Sequence, residues 1–409
     1  MDDLTVTTIA FPQPETTAIA AEIAATATAA ADCDAVDPDF LTERFWLCVV
    51  IGGSVSIISI VENLFIFALF ATSRQHRNSY NLYLLLLAFF DVFMGISYIA
   101  LMSVMVMINF TASYQLKWMW ASYVVPMLAI SHVAMTTSTY LITFAAIERY
   151  AITITHRTVE LLQKNRRWFV LLPFAIGLIT KGPYYFELTI ERNENCTGHL
   201  AEYKIWPSEL LTNSAYTIYA TYFRFHFRQI TTIIAPFFFL FLLTSSLVWK
   251  LKKPIREKNG QMLDVQHVKQ KKARIRAATR TLVILIFTYL MSNCLGVILA
   301  VWEYIDKESL QDRTNRQLEE LSMTSSSFRF MYFYVISVDT VSFLTIVACA
   351  LRLPIYLSCQ PLLRKEAKQF INRLCGRETL KKRLLRNDST MERDTFSATQ
   401  TLISSPTEK

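Results

Sequence analysis

The residues able to do chemistry in this chain are the few polar and charged ones set inside long apolar stretches. Asp91, Arg149, Asp339 and Arg352 stand in or at the edge of such stretches, and Asn63, Ser131, His132, Ser138, Lys181 and Arg228 share them. A charge in hydrocarbon costs about 2.5–3.5 kcal/mol on insertion scales, so such groups pair with one another or mark a functional route. Catalysis does not fit this set. His132 is the single histidine at depth, too few for a metal site or a Ser–His nucleophile. The 7 cysteines contain no C-x-x-C pair and are too scattered for a disulfide scaffold. We expect no enzyme, no metal and no resident cofactor.

Such residues need elements that hold them in lipid. The chain has 409 residues, 53% hydrophobic and 18% charged, where soluble domains run nearer 25% charged. Seven apolar stretches are long enough to span a bilayer: Phe45–Ala71, Leu82–Ile108, Trp118–Ile147, Trp168 to about Phe186, Gln229–Trp249, Thr281–Trp302 and Phe330–Leu357. Lipid leaves no partner for free backbone groups, so each is helical. The predicted fold is an all-α membrane protein, a seven-transmembrane helix bundle over residues 45–376. A disordered tail is expected at 1–44 and another at 377–409. A transporter would show repeats and Gly/Pro-interrupted helices; no repeat is visible and glycine numbers only 9.

Charge sets the sidedness. Of the 41 Lys and Arg, 29 fall in 72–80, 149–167, 250–280 and 358–409, alternate connections of the seven spans plus the last tail. These mark the cytoplasmic side. The first 44 residues carry nine acids and one base, Arg44, and are expected outside the cell. The glycosylation sequons at Asn109 and Asn195 fall on that same side. Basic segments between spans read as an inner-leaflet surface, not a nucleic-acid site. Residues 361–375 (PLLRKEAKQFINRLC) place Leu362, Leu363, Ala367, Phe370, Ile371 and Leu374 on one face, which predicts a short amphipathic eighth helix on the inner leaflet, with Cys375 a palmitoylation candidate.

Seven spans in this orientation, ending the third on Glu148-Arg149-Tyr150, resemble the rhodopsin-like (class A) G-protein-coupled receptors, whose third span ends in D/E-R-Y. Asn63, and Asn81 with Leu87-Ala88-Phe89-Phe90-Asp91, resemble the polar patterns of the first and second spans. The resemblance covers about residues 45–375. It implies that Glu148 holds Arg149 until activation frees it for the G protein. It implies a sodium ion or water network at Asp91, Asn63 and Ser138. Arg352-Leu353-Pro354-Ile355-Tyr356 resembles NPxxY with Arg for Asn and the proline one place later. The sixth span lacks CWxP; counting from Phe287 puts Met291 at the tryptophan place and Asn293 at the proline place. The usual cysteine atop the third span is replaced by Val124, leaving Cys196 to pair with Cys33, with Cys48 or with nothing. Within the class, Ile130 to Thr139 and the loss of CWxP are similar to nematode FMRFamide-peptide-receptor-like and orphan chemoreceptor-like proteins.

The resemblance places the ligand pocket in the outer halves of the spans. An amine receptor has an acid where this chain has Ser131, beside His132, and a retinal protein needs a lysine in the seventh span, where none lies between Phe330 and Leu363. The remaining charges fall on two walls, Lys181, Arg224, His226 and Arg228 against Glu303 and Asp339, and Met291, at the tryptophan place, is a further pocket candidate. Opposite walls of opposite charge suit a neuropeptide whose Arg or N-terminus needs an acid; the basic wall admits an acidic small molecule. The implied partners are that extracellular ligand, a heterotrimeric G protein, arrestin and membrane lipid.

Overall fold

The computed structural model describes residues 33, 41–72, 81–154, 164–209, 219–252, 265–305 and 325–374. Among the described residues seven helices are long and apolar enough to cross a membrane. They are α1 (Leu41–Thr72), α2 (Asn81–Thr111), α3 (Tyr114–Ile154), α4 (Arg166–Lys181), α5 (219–252), α6 (Val265–Ile305) and α7, which runs over Ser325–Ala350, breaks at Leu351 and resumes as Arg352–Cys359. Pro354 explains the break: it has no N–H to donate to Ala350, and its ring crowds that carbonyl. Helix α8 (Pro361–Leu374) follows. Its apolar side is divided: Leu363 and Ala367 are buried and Phe370 meets Phe65 of α1 at 5.8 Å, while Leu362 and Ile371 stay exposed.

Adjacent helices meet through small residues and side chain-to-backbone bonds, as expected where lipid supplies no hydrophobic drive between helices. The Ser56 hydroxyl donates to Gly95 O across α1 and α2 at 2.7 Å. Gly177 lets α4 approach α3 so closely that a Cβ there would lie 2.4 Å from Thr137 Oγ1 and 3.1 Å from Val133 O. Tyr140 ties α3 to Thr231 O of α5 at 2.8 Å, and the Thr139 and Tyr289 hydroxyls join α3 to α6 at 3.0 Å. The largest buried cluster, including Ile66, Phe70, Tyr83, Leu141, Leu240, Ile286 and Tyr356, sits toward the Arg149 end of the bundle.

At the other end, α4 is followed by a single turn, Tyr184–Glu187, and an antiparallel hairpin of β1 (Leu188–Arg192) and β2 (Tyr203–Pro207), with Ile190 opposite Ile205. Leu188, Ile190, Leu200 and Ile205 pack on Ile108, Trp120, Val124 and Val125. The side chain at the expected cysteine place, Val124, thus anchors the hairpin by burial. Cys196, between the two strands, is disulfide-bonded to Cys33, with Cα atoms 5.5 Å apart; Cys48 is buried as a free thiol. Glu202 closes the hairpin from within. It accepts from the Gly198 N–H at 2.7 Å, from Arg192 Nε at 2.8 Å and from the Tyr114 hydroxyl at 2.7 Å. These donors hold its carboxyl well below the usual range, at about 2.

Candidate functional site

Three polar centres lie along the bundle. The first is at the Arg149 end. Glu148 and Arg149 are both buried at the end of α3, and Tyr150 packs half-buried beside them. Glu148 Oε1 accepts from Arg166 Nη2 of α4 at 2.5 Å. Arg149, 5% exposed, lies beneath α6. It lines a cavity of about 20 Å³ with Tyr83, Glu148, Thr281, Leu285 and Gln360. Gln360, after the end of α7, donates to the Thr281 hydroxyl of α6 at 3.3 Å, so α6 is latched over Arg149 from the far side as well.

The second centre is at mid-bundle. Asp91 of α2 forms a salt bridge with Arg352 of α7, and both are buried. Asn63 of α1 donates to Ser59 O at 2.9 Å and to Cys349 O at 3.3 Å, stitching α1 to α7 one turn away. Ser138, Thr139, Tyr289, Asn293 and Arg352 line a cavity of about 30 Å³ at Asp91. The sodium ion implied by the resemblance does not fit these residues. A sodium site needs an unclaimed carboxylate, and here the Arg352 guanidinium is already the counter-cation. Tyr356 is buried and faces Phe70 with ring centroids 6.4 Å apart.

The sixth span corrects the register read from the sequence. Phe287 and Met291 are each 59% exposed, on the face opposite Tyr289, Ser292 and Asn293. The helical period puts 285, 289, 292 and 293 on the inner face, so 287 and 291 turn outward toward lipid. Asn293 does reach the Asp91 cavity; Met291 lines no ligand wall. Tyr289, which the sequence reading passed over, takes the inward place, and its signal was its i+4 spacing to Asn293.

The third centre is at the hairpin end. Arg228 of α5 donates from Nη1 and Nη2 to Glu187 Oε1 and Oε2 at 2.6 and 3.0 Å. The Tyr219 hydroxyl donates to Oε1 at 2.7 Å, and Arg224 Nε lies 3.4 Å from Oε2. The Arg228 guanidinium sits 5.3 Å from the Tyr184 ring, whose other neighbour is His132 at 4.6 Å. Ser131 is half-buried beside His132, and Lys181 is buried. Glu187 was not singled out in the sequence, although it is the acid that organises this wall. On the other wall, Asp339 is bound by Arg44 through Nε at 2.7 Å and Nη2 at 3.3 Å. Glu303 falls within α6, and its side chain lies outside the described residues, as does Cys375. Asn109 ends α2 half-buried, and Asn195 is exposed next to the disulfide. Among the described residues no group of three or more His, Cys, Asp or Glu could hold a metal.

Arg149 is thus buried at the end of a long third helix, among described helices of which seven are long and apolar enough to cross a membrane. Residues 62–351 match the family described as 7 transmembrane receptor (rhodopsin family). The chain belongs to that family. No match was found among curated proteins. This family member is a multi-pass receptor, and it departs from the family pattern where Arg352 meets Asp91 and where Cys196 meets Cys33.

Proposed function

We propose that the chain is a plasma-membrane G-protein-coupled receptor with residues 1–44 outside the cell and 377–409 inside. An extracellular ligand enters at the hairpin end, and a heterotrimeric G protein meets Arg149 at the other. The observation that carries this reading is the burial of Arg149 beneath Thr281, Leu282 and Leu285 of α6. An arginine so placed is exposed only if the end of α6 moves away. Agonist shifts the population toward that open form because it binds it more tightly. The connection from Lys250 to Arg280 carries 11 Lys and Arg, a composition that attracts acidic lipid headgroups. Arrestin is a further partner of the same opened surface, and palmitoylated Cys375 would anchor α8.

For the ligand we propose a neuropeptide, in keeping with the similarity to nematode peptide receptors; charges of both signs at the hairpin end support it. The second reading, an acidic small molecule, is favoured by one observation: Glu187 and Asp339 already carry their own arginines. The test is a panel of amidated peptides and acidic small molecules on cells expressing the receptor. A response to acidic small molecules alone overturns the peptide reading. Arg149→Ala is expected to abolish G-protein activation at unchanged surface level; preserved signalling would overturn the role of Arg149.

A further inference from the structure

On the α4–α5 wall of the hairpin end, Lys181, Arg224 and Arg228 face one carboxylate among the described residues, Glu187. Glu187 is claimed on both oxygens by Arg228, and Arg224 and Tyr219 crowd the same carboxylate. Asp339, on the opposite wall, is claimed by Arg44. Lys181 is left over. It lies six residues before Glu187, at the last turn of α4, and is 7% exposed. Among the described residues no carboxylate lies within ion-pair distance of it. The charges that act on it are Arg228, which repels it, and Glu187, which is already taken. His132 turns to the same place from α3. It feels both Lys181 and Arg228, stacks beside Tyr184, and its buried Nδ1 has no hydrogen-bond partner.

A buried ammonium without a counter-charge is held against its own desolvation, and a chain that retains one in a membrane bundle gives it a task. Snorkelling does not account for Lys181, because a snorkelling lysine reaches water and this one is enclosed. Around it stand the His132 imidazole, with its unpartnered Nδ1, and the flat Tyr184 ring, and beyond them the Arg228 guanidinium with its terminal nitrogens on Glu187. An anion arriving there meets partners on α3 and α4 together, in a low-dielectric setting that strengthens each contact.

We propose that Lys181 and His132, beside the Glu187-bound Arg228, form an anion subsite that takes the acid group of the extracellular ligand, a carboxylate or sulfonate-like group. The proposal rests on the receptor reading above and narrows its ligand class. A peptide satisfies it through an Asp, Glu or free C-terminal carboxylate, and a small molecule through its own acid. A ligand whose sole charge is an arginine does not.

The experiment uses the full chain in lipid nanodiscs and reads its thermal unfolding midpoint. The probes are hexanoate and hexanesulfonate, with hexanamide as the neutral control. The expected result is a saturable rise with both anions and none with hexanamide. Lys181→Gln is expected to weaken the apparent affinity about tenfold, the effect of losing one charge-assisted contact, while Lys181→Arg retains it. No rise with either anion, or an equal rise in Lys181→Gln, overturns the proposal. The unliganded Lys181→Gln receptor should be no less stable than the parent, since the substitution removes an unmatched buried charge; a lower midpoint would show Lys181 to be structurally paired and overturn it too. Acid-bearing heptapeptides and acid-bearing amphiphiles, each beside its amide, separate the two sources: a shift by one set names it, a shift by both shows that the acid group alone is read, and a shift by neither counts against the subsite. The readout is binding, so Arg149→Ala, which removes G-protein activation, leaves the anion shift intact. Failure of coupling and failure of the subsite are therefore distinguishable.

Discussion

Two buried acids in this bundle have been treated in opposite ways. Asp91, at mid-bundle, meets one guanidinium, Arg352, and the two charges cancel. Glu187, at the hairpin end, meets Arg228 and Arg224, with Lys181 close by, and the charges do not cancel. A one-to-one pair enclosed by α2 and α7 is self-sufficient, and it leaves no role for a mobile cation. A cluster with surplus positive charge is incomplete without a partner. The difference separates a centre that fixes the bundle from one that waits for something to bind.

The comparison breaks most sharply at the enclosed pair. Replacing Asp91 with Ala leaves Arg352 buried alone and is expected to cost about 3–5 kcal/mol. Arg352→Ala should cost a similar amount, and the double variant Asp91→Asn/Arg352→Asn should recover most of it. A double-mutant cycle on the unfolding midpoint checks this; additive losses would mean that the two residues do not act as a pair. The next largest effect concerns the hairpin end as a whole. Loss of the Cys33–Cys196 bond, by serine at either position or both, should cost about 2–4 kcal/mol, equally in all three variants, and Cys48→Ser should cost none of it. Non-reducing peptide mapping identifies the bond directly.

A smaller effect is expected at the Arg149 end. Glu148→Gln weakens a charge-assisted contact with Arg166 worth about 1.5–3 kcal/mol, which should raise ligand-independent nucleotide exchange on the G protein. If Arg166→Gln leaves basal exchange at the parent level while Glu148→Gln raises it, the contact that matters is a different one. The smallest effect is the pH response of the hairpin. The carboxyl of Glu202 lies at about 2 against an ordinary 4.5, so its contribution is complete above about 4.5 and fades only as pH falls toward 2. Hydrogen exchange of β1 and β2 should accordingly be unchanged by Glu202 protonation between pH 7 and pH 5, and Glu202→Gln should remove the acid-side change.

Part of the site was legible because its signals are local. Glu148-Arg149-Tyr150 is contiguous, and Asp91 stands alone in an apolar run. The sixth span was legible as a span but not in its rotation. Without a proline to fix the count, starting from Phe287 put Met291 inside, and the helix turns both outward. Glu187 was passed over because nothing near it in the sequence distinguishes it from any acid that ends a helix; its meaning comes from Arg228, 41 residues later. The hairpin shows the same limit. Val124 read as a missing cysteine, and only packing against Leu188, Ile190 and Ile205 shows that apolar burial does the anchoring there.

The sequence by itself determined that this is a seven-helix membrane bundle, and which of its connections are basic. The reason is that bilayer thickness acts on each stretch separately, so run length and flanking charge suffice. Only the tertiary structure decided who neutralises whom: Arg352 with Asp91, Arg166 with Glu148, Arg44 with Asp339, Arg228 with Glu187, and Cys33 with Cys196. Each partnership depends on the rotation and depth of two helices or loops far apart in the chain. Those are set by packing, which no single stretch of sequence records.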